Sequence, residues 1–149
     1  MQMRSLLFGV LAMLACSGCS DKSTVGPSVA NDLTGTWRGT FVLAGASEPM
    51  TWMLTQVGSG VSGSVLVAQP NGIVLMNGSL VGTLTGSTLD YTISVGQGAI
   101  PSQPACAGQL RGTMTVTFAL PSTMAGTYAV ASSTCLPPFG TTGNLNLTR

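Results

Sequence analysis

Gln109-Leu110-Arg111-Gly112-Thr113-Met114-Thr115-Val116-Thr117-Phe118 sets Leu110, Gly112, Met114, Val116 and Phe118 on one side and Arg111, Thr113, Thr115 and Thr117 on the other. A repeat of two, apolar against polar, marks a β-strand with one buried and one wet face, the arrangement of antiparallel sheet. The same alternation recurs on both sides of this stretch. It predicts strands at 35–44, 50–57, 61–68, 78–85, 88–95, 109–118, 123–131 and 143–149, separated by Gly, Pro, Asn and Ser clusters. No stretch carries a helical stripe. From Leu33 onward the chain therefore reads as an all-β antiparallel meander of eight strands.

Glycine placement turns the meander into an up-and-down barrel. Gly39, Gly63, Gly82, Gly112 and Gly126 fall on the apolar side of five strands, where they permit the bending and close approach that a small barrel needs. The recurring Gly-Ser and Gly-Thr pairs are not a phosphate loop, because no Gly-Lys-Ser/Thr follows them. Link lengths alternate. Gly58-Ser59-Gly60, Gly86-Ser87 and Ala119–Ser122 are tight, whereas 45–49, 69–77, 96–108 and 132–142 are longer and fall at the opposite end. Cys106 and Cys135 lie in two of the long links, at one end, so they can form a disulfide in an exported chain. Closing about thirty residues contributes roughly 3–4 kcal/mol.

The first residues read as an address. Arg4 precedes an apolar run from Leu6 to Ala15 that is too short to span a bilayer. The run ends in Cys16-Ser17-Gly18-Cys19, which resembles the lipobox of bacterial lipoproteins. That resemblance makes 1–18 a signal peptide and Cys19 the lipidated residue. Cys16 is the alternative, and a plain secretory signal is a third reading. Choosing Cys19 discards Cys16 and leaves an even pair, whereas choosing Cys16 strands an odd thiol. Residues 19–32 then form a flexible tether, and 33–149 the barrel domain. Ser20, where the family's inner-membrane proteins tend to carry Asp, points towards the outer membrane. With Arg4 removed, four cations face four anions, so attachment must come from lipid chains and not from a basic patch.

Gly35-Thr36-Trp37 resembles the Gly-x-Trp signature of the lipocalins, and Leu33–Trp37 is similar to the start of an avidin barrel. Both belong to the calycin group of eight-stranded barrels. The resemblance implies that an arginine at the end of the last strand packs across the first-strand tryptophan. Arg149 continues the inward row of Leu145 and Leu147, so it is the candidate cap over Trp37. The alternative is a solvated terminal residue. The other blocks of those families are not recognisable, and no ligand carries over.

Composition narrows the chemistry. The 149 residues are 6% charged and contain no histidine. That removes Ser-His-Asp and Cys-His nucleophiles and His-ligated metals. Five scattered cations make no nucleic-acid face. Lys22, the single lysine, lies in the tether, and Glu48 and Asp90 are expected at opposite ends of the barrel. We therefore expect no enzyme, no cofactor and no metal. A membrane pore is also disfavoured, because its apolar side chains would face outward. Two functions remain. Phe41, Trp52, Leu54, Tyr91, Met114, Phe118 and Tyr128, with Gln56 as the main uncharged polar group, are expected to line a site for a small apolar ligand in or at the mouth of the barrel. Alternatively they fill the interior, and the protein is a non-catalytic interaction barrel, an envelope inhibitor or structural lipoprotein. Met53, Val57, Leu66 and Val81 interrupt the polar outer face and mark a possible partner patch.

Overall fold

A computed structural model of the protein describes residues 31–43, 45–136 and 142–149. The strands are β1 (Gly35–Leu43), β2 (Ala46–Val57), β3 (Gly60–Ala68), β4 (Val74–Thr85), β5 (Thr88–Val95), β6 (Gly108–Thr117), β7 (Thr123–Ser133) and β8 (Thr142–Thr148). Each pairs antiparallel with the next, and β8 returns to β1, so the sheet closes into an eight-stranded up-and-down barrel. The expected signal peptide (1–18) and most of the expected tether, with Cys16 and Cys19, lie outside the described residues.

The inward rows predicted by the period of two are the buried ones. Trp37, Trp52, Met114, Leu145 and Leu147 are essentially without solvent contact. Trp37 stands opposite Trp52 in the register, and Trp52 opposite Val65. Tight turns follow β2 and β4, where Gly58 and Gly86 both take φ of 61°, a left-handed conformation that suits glycine. The β6–β7 turn (118–122) lies at the same end, here called the turn end.

Two link expectations are corrected. The first link is not 45–49: β2 already begins at Ala46, so β1 and β2 meet in a hairpin as tight as those at the turn end. Glu48 is therefore a strand residue opposite Phe41 and not part of a loop. Pro49 explains the misreading. It pairs with Thr40 of β1, but β3 pairing starts only at Met50, so a missing N–H beyond that point breaks no ladder. The third link is 69–73, not 69–77, because β4 extends back to Val74. The loop end thus carries three extended links and one tight one.

The inward glycines are matched to bulky neighbours directly across the ladder. Gly112 faces Tyr91, and Gly143 faces Tyr128. A Cβ on Gly112 would lie 2.6 Å from the Tyr91 hydroxyl, and one on Gly143 would lie 2.5 Å from the Tyr128 ring. Large against small is how so narrow a barrel accommodates aromatic rings. The closing seam is the thinnest part of the sheet. β1 and β8 pair only at Arg38 with Thr148 and Gly39 with Leu147. Above that, Phe41 reaches Tyr128 on β7, ring centroids 5.1 Å apart, so side chains close what the ladder does not.

Candidate functional site

The turn end is sealed by the chain's own entry. Asn31 to Thr34 lie against the mouths of β1, β2 and β8. Leu33 is fully buried, and its carbonyl accepts the Trp37 indole N–H at 2.9 Å. The Gln56 side chain accepts the Leu33 amide at 2.9 Å and donates to the carbonyls of Gly58 at 2.9 Å and Asn31 at 3.2 Å. Thr34 receives the Gln56 amide on its hydroxyl at 3.0 Å. Gln56 is therefore a latch at the turn end, not the interior polar group expected from its parity. Two of its three side-chain partners, the Leu33 amide and the Asn31 carbonyl, come from the entering segment, and the third from the Gly58 turn.

Arg149 lies over Trp37, guanidinium carbon 4.8 Å from the ring centroid, and donates to the carbonyls of Thr34 and, at 3.0 Å, Asp32. Its backbone exchanges two hydrogen bonds with Ser122, of 2.9 and 3.1 Å, which ties the β6–β7 turn to the same cluster. The Asp32 carboxyl is held below its ordinary range, chiefly by the Thr34 amide at 2.8 Å, then by the Thr34 hydroxyl, with Arg149 adding a smaller attraction against a small desolvation cost.

The interior holds six of the seven candidate lining residues. Phe41, Trp52, Leu54, Tyr91, Met114 and Tyr128 are all buried, and Trp52 meets Tyr91 edge-on at 5.1 Å. Phe118 packs against this core from its edge: it is only half-buried, just beyond the end of β6 at the turn end. The Tyr91 hydroxyl donates to the Thr127 carbonyl at 3.1 Å. Burial, and after it Tyr128, pushes this hydroxyl far above the ordinary phenol range. Burial raises Tyr128 as well. Both rings stay neutral: Tyr91 packs and donates a hydrogen bond, and Tyr128 packs on Phe41.

At the loop end the roof comes from a link and not from a strand. Ala99 and Ile100, in the β5–β6 loop, are buried, and the Ala99 carbonyl accepts the Asn77 amide at 2.9 Å. Under this roof a void of about 20 Å³ remains, bounded by Phe41, Met76, Val95, Ile100, Leu110 and Tyr128. That is about the room of one water molecule, in apolar surroundings. The Cys106–Cys135 disulfide joins the β5–β6 and β7–β8 links across a separation of 29 residues. Gln103 adds a two-way clasp, accepting the Leu136 amide at 2.7 Å and donating to its carbonyl at 3.3 Å. The Ala99-Ile100 pair escaped the strand pattern because a loop has no period. Its apolar character between Gly98 and Pro101 was the available signal.

Among the described residues no three His, Cys, Asp or Glu side chains gather into a possible metal-binding group. The outer face carries exposed Met53, Val57, Leu66 and Val81 on β2 to β4. Comparison with protein-family models, curated proteins and solved structures finds no match. What the geometry defines is an architecture, a closed eight-stranded antiparallel barrel consistent with a calycin-like fold.

Proposed function

We propose that the protein is a lipid-anchored cell-envelope lipoprotein, non-catalytic, that meets a protein partner through the loop end of its barrel. The observation that carries this reading is the filled interior: bulky side chains occupy the inward rows, and the residual void is about 20 Å³. A container needs a cavity several hundred cubic ångström units in size to hold a drug-sized ligand. The loop end supports a contact role. Two links are fastened together by a disulfide and the Gln103 clasp, which lowers the ordering cost of binding. Ile73 and Leu136 project from this rim, 57% and 71% exposed. Cys19 is the proposed lipidated residue and the outer membrane the proposed location. The chain reaches the barrel at the turn end, which leaves the loop end directed away from the anchor.

The test is affinity capture from envelope extracts with the wild-type chain and with Ile73→Ser and Leu136→Ser. Loss of a specific partner in the loop variants, with an outer-face variant such as Val81→Ser retaining it, supports the reading. Unchanged partners count against it. A small apolar ligand at the mouth is the second reading, favoured by the apolar lining beneath Ile100. Saturable binding of a fluorescent fatty-acid probe to the wild-type protein would move the function there.

A further inference from the structure

The two most exposed large apolar side chains among the described residues are Leu120, at 89%, and Val57, at 80%. Both belong to the turn end. Val57 closes β2 just before the Gly58-Ser59 turn, and Leu120 sits in the 118–122 turn between β6 and β7. These hairpins lie on opposite sides of the barrel, and the entering segment Asn31–Thr34 runs between them, held by Gln56 and Arg149. Neither tip touches a partner within the fold that would explain an aliphatic side chain there. Val57 is followed by Gly58 and Ser59, and Leu120 stands between Ala119 and Pro121. Charge at this end is mixed, with Arg149 beside Asp32.

We propose that the turn end rests on the bilayer surface, with Val57 and Leu120 dipping into the lipid interface on either side of the point where the chain arrives. This rests on the reading of Cys19 as the lipidated residue. Twelve residues, Ser20 to Asn31, lead from that cysteine to the barrel and join it at this end. They span at most about 40 Å at roughly 3.3–3.6 Å each. The turn end is thus the face the anchor brings to the membrane. Two separated aliphatic tips suit a flat apolar partner that has no pockets of its own, which describes a lipid interface better than a protein surface. The balanced charge calls for no anionic headgroup, so zwitterionic lipid suffices. Seating both tips fixes the barrel upright and presents Ile73, Leu136 and the disulfide-fastened links to whatever lies opposite the membrane.

The experiment uses the full-length chain, processed in its host, purified in detergent and reconstituted into phosphatidylcholine vesicles. Val57→Cys, Leu120→Cys and the loop-end control Ile73→Cys each receive an environment-sensitive fluorophore, and brominated phosphatidylcholine serves as quencher. Native tryptophan emission verifies that every variant is folded, which exposed positions should permit. Interfacial side chains sit within about 5–10 Å of the headgroup boundary, so at least roughly twofold quenching is expected at 57 and 120 and little at 73. Mass spectrometry of Cys19 and vesicle flotation report on the anchor separately. An acylated, floating chain with no quenching at 57 and 120, or with equal quenching at 73, overturns the proposal and leaves the anchor standing. A chain with no acyl mass that fails to float overturns both.

Discussion

Arg149 combines several interactions at the turn end. It stacks on Trp37, donates to two carbonyls of the entering segment and pairs through its backbone with Ser122. Arg149→Ala is expected to lower unfolding stability by about 1–2 kcal/mol in urea titrations, and Arg149→Lys to recover only part, because an ammonium cannot stack and fork at once. Asp32 adds a pH dependence. Its carboxyl has a lower pKa folded than unfolded, so its contribution is complete above the unfolded value and is lost as pH falls through the folded one. The urea midpoint should be level near neutrality and decline in the acid range, with a shallower decline in Asp32→Asn. Gly112 offers a third check. An added methyl runs into the Thr127 carbonyl as well as the Tyr91 hydroxyl, so the strands must shift, and Gly112→Ala is expected to cost at least about 1–3 kcal/mol by overpacking and to disturb near-ultraviolet dichroism. The inward glycines are legible from parity alone, and the register adds the bulky residue each one faces. Gln56 was not legible. Parity aimed it inward, and only the position of Leu33 and Asn31 shows why an amide is wanted at the rim.

Strands were readable because a sheet with one wet face writes a period of two into the chain. From 88 to 95 the expected and observed limits coincide, and the other strands differ by a few residues at their ends. The starts of β2 and β4 each lie four residues earlier than expected, and at β2 the cause is Ser47-Glu48-Pro49, which has the composition of a turn but the pairing of a ladder edge. Links carry no period, and so the burial of Ala99 and Ile100 was hidden until the roof was seen. That roof depends on its fastening. Replacing Cys106 and Cys135 together with Ser is expected to lower stability by about 3–4 kcal/mol through the larger freedom of the unfolded chain. The barrel should remain, and hydrogen exchange should quicken selectively in 96–107. Uniformly faster exchange across all eight strands would mean that the bond holds the whole barrel and not its roof.

At the scale of the molecule, seven of the eight strand pairings join sequence neighbours, and only β1 with β8 is remote. That closure pairs Arg38 with Thr148 and is the thinnest seam, so it combines the largest loop-closure cost with the fewest ladder bonds. Contact order predicts that closing this seam limits folding. The termini of the barrel allow a direct test, since the Arg149 side chain donates to Asp32 across the turn end. A circular permutant joins residue 149 to residue 31 through a short Gly/Ser linker and opens the chain between Asn71 and Gly72, in the exposed 69–73 link. The seam then becomes a hairpin-like local pairing, while β3 with β4 becomes the remote one. The native β3–β4 register is far longer, from Gly60 opposite Thr83 to Ala68 opposite Val74, so its bonds repay closure better than two do. Stopped-flow refolding followed by tryptophan emission should therefore be faster in the permutant, with the buried Trp37 and Trp52 regaining their native spectrum. Slower refolding to the same final spectrum would place the limiting step in the long hairpins and remove the seam from the folding barrier.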